Sequence, residues 1–334
     1  MPLEVSQMAD EIRVGFVGAG GIATGAHLPA LKEIEGVEVV ALCDAQQERA
    51  EAAARRLGGR AYADHHEMLE REDLQALFVC LPPDAHSDVE LIAAGKGIHL
   101  FVEKPIVLAM EKGLEVAEAV RKANVVSSVG YQLRYLPVAR AVREFLAGKS
   151  IALAAGNRWG GIPGGPDHWW RVMERSGGMF HEMATHNMDF IRYVVGDVAS
   201  VYARYSLNVL RGVENLTVPD AQVVVLEFRS GATGYFSASC ALTKGGGWGS
   251  TDIILRDLML RVTFEQITVI PEGAAEIKLP APGMNIQQAF IHAIRTGDRS
   301  VIQSDYLDAL KTTEVTLGAN QSALTGKPVE MKLA

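Results

Sequence analysis

The stretch Val14-Gly15-Phe16-Val17-Gly18-Ala19-Gly20-Gly21-Ile22-Ala23 spells G-x-G-x-x-A where a short apolar run gives way to a helical one. Gly18 permits a tight turn, Gly20 lets the backbone approach a pyrophosphate, and Ala23 keeps the helix close to the strand. Amides of Gly20, Gly21 and Ile22 then open a helix whose N-terminus favours phosphate. Asp44 lies 26 residues beyond Gly18, at the end of the next apolar run, where a carboxylate can bind a ribose 2′-OH. A 2′-phosphate there would meet like charge, and Ala45, Gln46 and Gln47 bring no adjacent arginine. This chemistry is dinucleotide binding, with NAD favoured over NADP.

A second set of residues can move protons. Glu182, His186 and Asp189 stand at i, i+4 and i+7, one stripe of a helix at about 100° per residue. Imidazole suits proton transfer near neutral pH. Glu182 can orient it or bind a substrate hydroxyl, and Asp189 can fix its tautomer or cap a neighbouring segment. The run His181-Glu182-Met183-Ala184-Thr185-His186 is superficially like the zinc motif HExxH. Its histidines are five apart, about 140° around a helix, and do not share a face. His65-His66-Glu67 has no second ligand pair at metal spacing. No metal is expected.

These residues need elements to position them. Apolar runs at 12–17, 37–43, 74–81, 98–102 and 125–129 read as strands; 26–34, 46–57, 86–94 and 110–123 read as helices between them. Such alternation is the pattern of a parallel sheet covered on both faces. Residues 1–10 read as a loose tail. After Gly130 the rhythm changes. A helix at 137–147 and a strand at 151–159 lead to a Gly/Pro/Trp loop at 160–171 and one long amphipathic helix at 179–195. Consecutive strands follow at 198–208, 221–228, 233–240, 250–256, 258–264 and 266–270, which argues for an antiparallel sheet. Helices at 284–295 and 304–322 close the chain.

The balance of 32 Lys+Arg against 40 Asp+Glu, net −8, disfavours a nucleic-acid or anionic-membrane surface. With 48% hydrophobic and 22% charged residues over 334 positions, the chain is long enough for two packed domains. Cys43, Cys80 and Cys240 are odd in number and far apart, so no disulfide framework is expected. Acidic residues near the start and the lack of a long apolar run speak against a signal peptide or membrane span. A cytoplasmic protein is expected.

Further motifs stand in order: Leu81-Pro82-Pro83-Asp84-Ala85-His86, Glu103-Lys104-Pro105, Gly130-Tyr131, Ser176-Gly177-Gly178 and His186-Asn187-Met188-Asp189. Together they resemble the glucose-fructose oxidoreductase / inositol dehydrogenase (Gfo/Idh/MocA) family over nearly the whole chain. The resemblance implies an α/β fold: an N-terminal Rossmann dinucleotide-binding domain (1–129) and a C-terminal α/β domain with an open, mainly antiparallel sheet (130–334). The second domain is expected to bind substrate and form a homodimer or homotetramer.

The resemblance also implies NAD(P)-dependent oxidation or reduction of a sugar, cyclitol or related polyol. Pro82, His86, Glu103 and Lys104 join the cofactor site, Glu103 near the nicotinamide ribose, and the bond before Pro105 is expected to be cis. Lys104 reaches the reacting hydroxyl, where it can stabilise alkoxide character; Lys104 or His186 then serves as base. Glu182 stands where relatives often carry Asp. Tyr131, Arg134, Trp170, Arg171, Glu182 and His186 are expected against substrate, with His168 and Trp159 in the loop nearby. Two other functions fit the same residues: transient sugar oxidation by tightly held NAD in a net elimination or hydrolysis, and an NAD-dependent sensor without turnover.

Overall fold

The computed structural model describes residues 11–333; the segment 1–10 read as a tail lies outside them. Six short strands, β1 (Ile12–Val17), β2 (Val37–Cys43), β3 (Arg60–Tyr62), β4 (Ala76–Val79), β5 (His99–Val102) and β6 (Ser127–Val129), pair in parallel in the order β3-β2-β1-β4-β5-β6. The residues of β1, β4, β5 and β6 are buried almost throughout, as expected of strands covered on both faces, while edge strand β3 buries only Tyr62. Strand order reverses between β1 and β4, which opens a crevice at the carboxyl ends of these strands.

Eight strands build the second sheet: β7 (Leu153–Trp159), β8 (Val198–Ser206), β9 (Ala221–Phe228), β10 (Thr233–Ser239), β11 (Trp248–Ile254), β12 (Met259–Val262), β13 (Ile267–Ile270) and β14 (Val329–Glu330). Their order is β13-β12-β11-β7-β10-β9-β8-β14, antiparallel except for the parallel β7/β10 pair. In β9 the side chains alternate strictly. Gln222, Val224, Leu226 and Phe228 are buried, while Val223 and Val225 are exposed. Helices cover one face and leave the other open, so the expected α/β architecture with an open, mainly antiparallel second sheet is what the chain adopts.

The C-terminal segment belongs to both layers. Phe16, Phe78 and Phe101, one from each central strand, stack across the first sheet at 4.9 and 4.5 Å. Phe290, from helix Ile286–Thr296, meets Phe78 and Phe101 edge-on at 5.6 and 5.7 Å. That helix follows the second sheet in sequence yet closes a face of the first. The last helix, Tyr306–Thr325, puts Tyr306, Ala309 and Leu310 into the core of the parallel sheet and Val315 and Ala319 into the core of the other.

Three local readings of the sequence need correction. β3 and helix His65–Arg71 were not legible, because three residues are too few to show a period. The helix expected at 26–34 begins earlier, as a π turn over Ala23–His27 opened by Thr24 N–H donating to the Gly20 carbonyl at 3.0 Å. The single helix expected at 179–195 is two, Gly178–Glu182 and Thr185–Val195, with Met183 and Ala184 in a turn between them.

Truncation of Phe290 to alanine should cost about 3–5 kcal/mol in urea unfolding followed by circular dichroism. A loss below about 1 kcal/mol would mean that the returning helix is an appendage and not part of the first core.

Candidate functional site

The motif residues sit one step past their strands. Gly18 donates to the Cys43 carbonyl at 2.8 Å, Asp44 to the Tyr62 carbonyl at 3.1 Å, Glu103 to the Val79 carbonyl at 2.8 Å and Gly130 to the Val102 carbonyl at 2.9 Å. Each ladder therefore continues one residue past its strand, to the motif residue. Gly18 has φ +93°, and a Cβ on it would run into the Cys80 carbonyl, so only glycine fits the turn. Asp44 accepts from Ala19 N–H at 3.0 Å and Gln46 N–H at 2.9 Å. Its carboxylate thus fixes the glycine turn and keeps further lone pairs for a diol.

A cleft of about 1030 Å³ runs from this turn across both halves. Gly18, Gly20, Gly21, Ile22 and Asp44 line one end; Pro82, Glu103 and Lys104 the middle; Glu182 and His186 the other end. Above Gly20 and Gly21 a Cβ would meet nothing within 4 Å, so a phosphate has room to reach their amides. Open glycine backbone, an acid at the diol position and a long continuous cleft fit a nicotinamide dinucleotide. Arg49 also lines the Asp44 end, five residues along the chain and beyond the three inspected in the sequence.

Glu103 is held from three sides. Its Oε1 lies 2.8 Å from His27 Nε2, whose Nδ1 accepts from Gln287 Nε2 at 2.9 Å. That chain of bonds makes Nε2 the protonated nitrogen. Lys104 N–H donates to Glu103 Oε2 at 3.1 Å. The carboxylate lies flat on Gly130, where a Cβ would collide with it, which explains the glycine after β6. The Lys104–Pro105 bond is cis, as the resemblance implies.

Lys104 crosses the cleft. Its Nζ donates to Glu182 Oε1 at 2.9 Å and to the Glu182 carbonyl at 3.2 Å. That carbonyl is the one a continuous helix would have offered to residue 186, so the break in the helix and the bridging lysine belong together. His186 Nδ1 and Glu182 Oε2 are shielded and have no hydrogen-bond partner among the described residues. Burial, then the charges of Lys104 and Arg158, hold the His186 imidazole well below its usual range. It is a neutral imidazole beside an amine and a carboxylate.

Several expected site residues stand elsewhere. Asp189 is fully buried and accepts from Arg134 Nε at 2.7 Å and Nη2 at 2.6 Å and from Thr312 Oγ1 at 2.9 Å. It neither touches His186 nor caps a helix. Arg134, 3% exposed, is consumed by that pair and by Asp308 at 2.6 Å, so it does not line the cleft. Tyr131 packs edge-on behind His186 with ring centres 6.1 Å apart, its hydroxyl 2.9 Å from Thr185 Oγ1. Burial drives that phenol well above its usual range, so it is no proton donor at neutral pH.

Trp170 is 1% exposed and belongs to the core, while its neighbour Trp169 lines the cleft. Adjacent residues of the tight turn Trp169–Arg171 point about 120° apart, so one ring enters and the other leaves. Arg171 ties its loop to the segment between β8 and β9, donating to the Glu214 carbonyl at 2.9 Å. His86 is buried under the Pro82-Pro83 turn. Its Nδ1 pairs with Glu90, and its Nε2 lies 3.3 Å from the Leu81 carbonyl, so it shapes the turn and does not face the cleft.

Besides Arg49, the lining holds residues the sequence did not reveal, among them Gln132, Asp167, Trp169 and Arg175. Arg175 Nε donates to Asp84 at 2.6 Å, a bond between the two halves that no local pattern announces. His181 spends both ring nitrogens on Thr316 and the Val107 carbonyl, at 2.8 and 3.0 Å, and burial lowers its pKa to about 4. Burial raises the thiols of Cys43 to about 12 and Cys240 to about 11, as inert core groups. No helix among the described residues is long and apolar enough to cross a membrane.

A family model described as "oxidoreductase family, NAD-binding Rossmann fold" matches residues 12–131, and one for the "GFO/IDH/MocA C-terminal domain" matches residues 135–266. A myo-inositol 2-dehydrogenase of Thermotoga maritima is 32% identical over 68% of each chain. The scyllo-inositol 2-dehydrogenase (NAD(+)) of Bacillus subtilis is 28% identical over 97% of each. Among solved structures, the WlbA dehydrogenase of Chromobacterium violaceum, in complex with NADH and UDP-GlcNAcA, superposes with TM-score 0.82 at 24% identity over 98% of each chain. A levoglucosan dehydrogenase with NADH and L-sorbose gives 0.81 at 19%, over 97% of this chain and all of that one. These two likenesses establish the fold.

The Asp44 end generates a test of cofactor choice. Asp44→Ser should weaken NAD about tenfold, the loss of one good polar pair. It should also improve NADP, because Arg49 then faces the 2′-phosphate without an opposing carboxylate. Initial rates with both nucleotides measure the ratio; an unchanged preference would remove Asp44 as its cause.

Proposed function

The chain belongs to the Gfo/Idh/MocA family of NAD-binding oxidoreductases, and on that premise we propose that it transfers hydride to or from a hydroxyl-bearing carbon of a sugar, cyclitol or related polyol. We further propose that Lys104 and His186 handle the hydroxyl proton. The observation that carries this reading is the His186 imidazole, its Nδ1 shielded and unpartnered among the described residues, in the same cleft end as the Lys104–Glu182 pair. The inositol dehydrogenases among its relatives support the substrate class.

NAD, when bound, supplies the hydride acceptor at its nicotinamide ring. What remains for the protein is the proton and the position of the carbon. A lysine ammonium has three donors. Two of Lys104's are spent on Glu182, and the third is free for a substrate oxygen. It steadies negative charge as that oxygen loses its proton. His186 is the base in this scheme, because burial and two neighbouring cations keep it unprotonated and ready to accept. Glu182 orients Lys104 and keeps one oxygen for a second hydroxyl of the substrate. Asp167, His168 and Trp169 roof the cleft, and an aromatic ring there suits the C–H face of a sugar.

We also propose that 1–129 holds the cofactor and that 130–334 holds substrate and partner copies. Trp159, Tyr202, Val223, Val225, Tyr235 and Trp248 are exposed on strands of the second sheet. Such an apolar surface favours self-association. The chain is expected to sediment as a dimer or tetramer, and the pair Val225→Glu with Tyr235→Lys to sediment as a monomer. A monomeric wild type would end this part of the proposal.

Replacing Lys104 by Met should lower turnover about 10²–10⁴-fold while NAD binding, read by calorimetry, changes little. It should also raise the His186 pKa, since it removes one of the two cations that depress it. Imidazole titration by nuclear magnetic resonance reads that shift. In wild type His186 stays neutral down to pH values below about 6.5, so kcat/KM for oxidation should hold through neutrality and fall only in acid. Wild-type turnover in the Lys104→Met protein would refute the assignment.

A further inference from the structure

A dinucleotide brings two phosphate charges into the cleft, and few side chains there can meet them. The open amides of Gly20 and Gly21 are neutral donors. Among the described residues the lining holds three lysines or arginines: Arg49, Lys104 and Arg175. Arg49 stands at the Asp44 end, and Lys104 is committed across the cleft to Glu182. Arg175 remains. In a sheet of this order the pyrophosphate belongs to the crevice outside β1 and β4. The walls of that crevice are the turns at 18–22 and 82–85.

Arg175 comes from the second half, on the one-turn helix Met173–Ser176. That turn is fixed to its own half. Met173 N–H donates to Thr217 Oγ1 at 2.7 Å, and Thr217 N–H donates to the Arg171 carbonyl at 2.9 Å. The side chain reaches the first half, where Nε donates to Asp84 Oδ2 at 2.6 Å. Arg175 is in the cleft lining and Asp84 is not. Nε is thus engaged with the turn at 82–85, while Nη1 and Nη2 have no partner among the described residues. An Nη1/Nη2 pair is a fork that takes phosphate oxygens bidentately. The bond to Asp84 is half-exposed and worth little as an ion pair; its use is to hold that fork in place.

We propose that Arg175 is a cofactor-binding residue: with Nε kept by Asp84, its Nη1 and Nη2 take the pyrophosphate of a bound dinucleotide, so that the second half grips what the first half holds. This role rests on a dinucleotide lying in the cleft. The segment that carries Arg175 has Asp167, His168 and Trp169 just before it and runs into helix Gly178–Glu182 just after it. Cofactor capture therefore bears on the roof of the cleft and on the approach to Glu182, which Lys104 holds.

The test is calorimetry on the full chain with NAD and ADP, and with adenosine as a probe that lacks phosphate. Arg175→Met should weaken NAD and ADP each about 10–100-fold, the loss of a charge-assisted pair, and leave adenosine unchanged. Arg175→Lys keeps the charge without the fork and should recover part of the loss. Asp84→Asn should weaken NAD less than Arg175→Met does. Added salt should lower NAD affinity more steeply in wild type than in Arg175→Met. Without nucleotide the melting temperature of Arg175→Met should hardly move, because the pair it breaks is exposed, whereas the rise on adding NAD should shrink. Wild-type affinity for NAD and ADP in Arg175→Met overturns the assignment and leaves the dinucleotide site standing. An equal loss for adenosine also overturns it, since Arg175 would then only shape the cleft. A wild type that takes up no NAD overturns both.

Discussion

A carboxylate with no contact to water, Asp189, fixes the geometry on which the active end of the molecule depends. It is paired with Arg134 and lies 3.8 Å from Arg192. Arg134 also meets Asp308; Arg192 meets Asp308 and Asp197, and Lys311 meets Asp197 at 2.9 Å. Three acids and three bases thus close a neutral network across the crossover after β6, helix Thr185–Val195 and the final helix. Ion pairs of this depth are weak evidence for net stability, because desolvation consumes most of the Coulombic gain. Removing one member is another matter, since it strands a buried charge. The network therefore acts on register: helix Thr185–Val195 can take one position, and His186 stands three residues before Asp189 on it.

The two halves are joined unequally. Helix Tyr306–Thr325 contributes apolar side chains to both cores, and helix Ile286–Thr296 lends Phe290 to the first sheet and Gln287 to the His27–Glu103 pair. Across the mouth of the cleft the tie is Arg175 to Asp84, with Arg175 about half exposed. A solvent-exposed pair of this kind is worth about 0–1 kcal/mol and is screened by salt. The base of the cleft is therefore rigid and its mouth is weakly held. That is the distribution of stability an enzyme needs if a large dinucleotide is to enter while the reacting groups stay in place.

What the sequence made legible follows from the range over which each residue acts. The glycine turn, Asp44 and the strand ends are local: turn geometry, helix start and carboxyl terminus all lie within one βαβ unit. The stripe of Glu182 and His186 was also legible, since both reach the cleft even though the helix breaks between them. Asp189 shares that stripe but is claimed by Arg134, 55 residues back, and by Thr312, 123 residues on. Nothing local distinguishes a buried structural acid from a catalytic one. Likewise, Trp169 and Trp170 are equivalent in sequence; a tight turn decides which ring meets the cleft. His86 looked like a cofactor ligand because its motif is one, but Glu90, one helical turn on, draws the imidazole under the loop.

Two shielded atoms at the end of the cleft bear on the kind of substrate it takes. His186 Nδ1 and Glu182 Oε2 have no partner among the described residues, and a buried polar atom left bare costs about 1–3 kcal/mol. The surrounding structure could have satisfied them: Thr185, next to His186, has a hydroxyl committed to Tyr131 instead. Leaving them bare makes the site expensive to fill with an apolar ligand and favourable to fill with a ligand dense in hydroxyls, each both donor and acceptor. A site that depends on such groups rejects an analogue lacking one hydroxyl far more strongly than it rejects a change of a methylene. The proposed preference for polyols over simple alcohols rests on these atoms, and so does the proposed role of His186 as base, because the burial that leaves Nδ1 bare also disfavours charge on the imidazole.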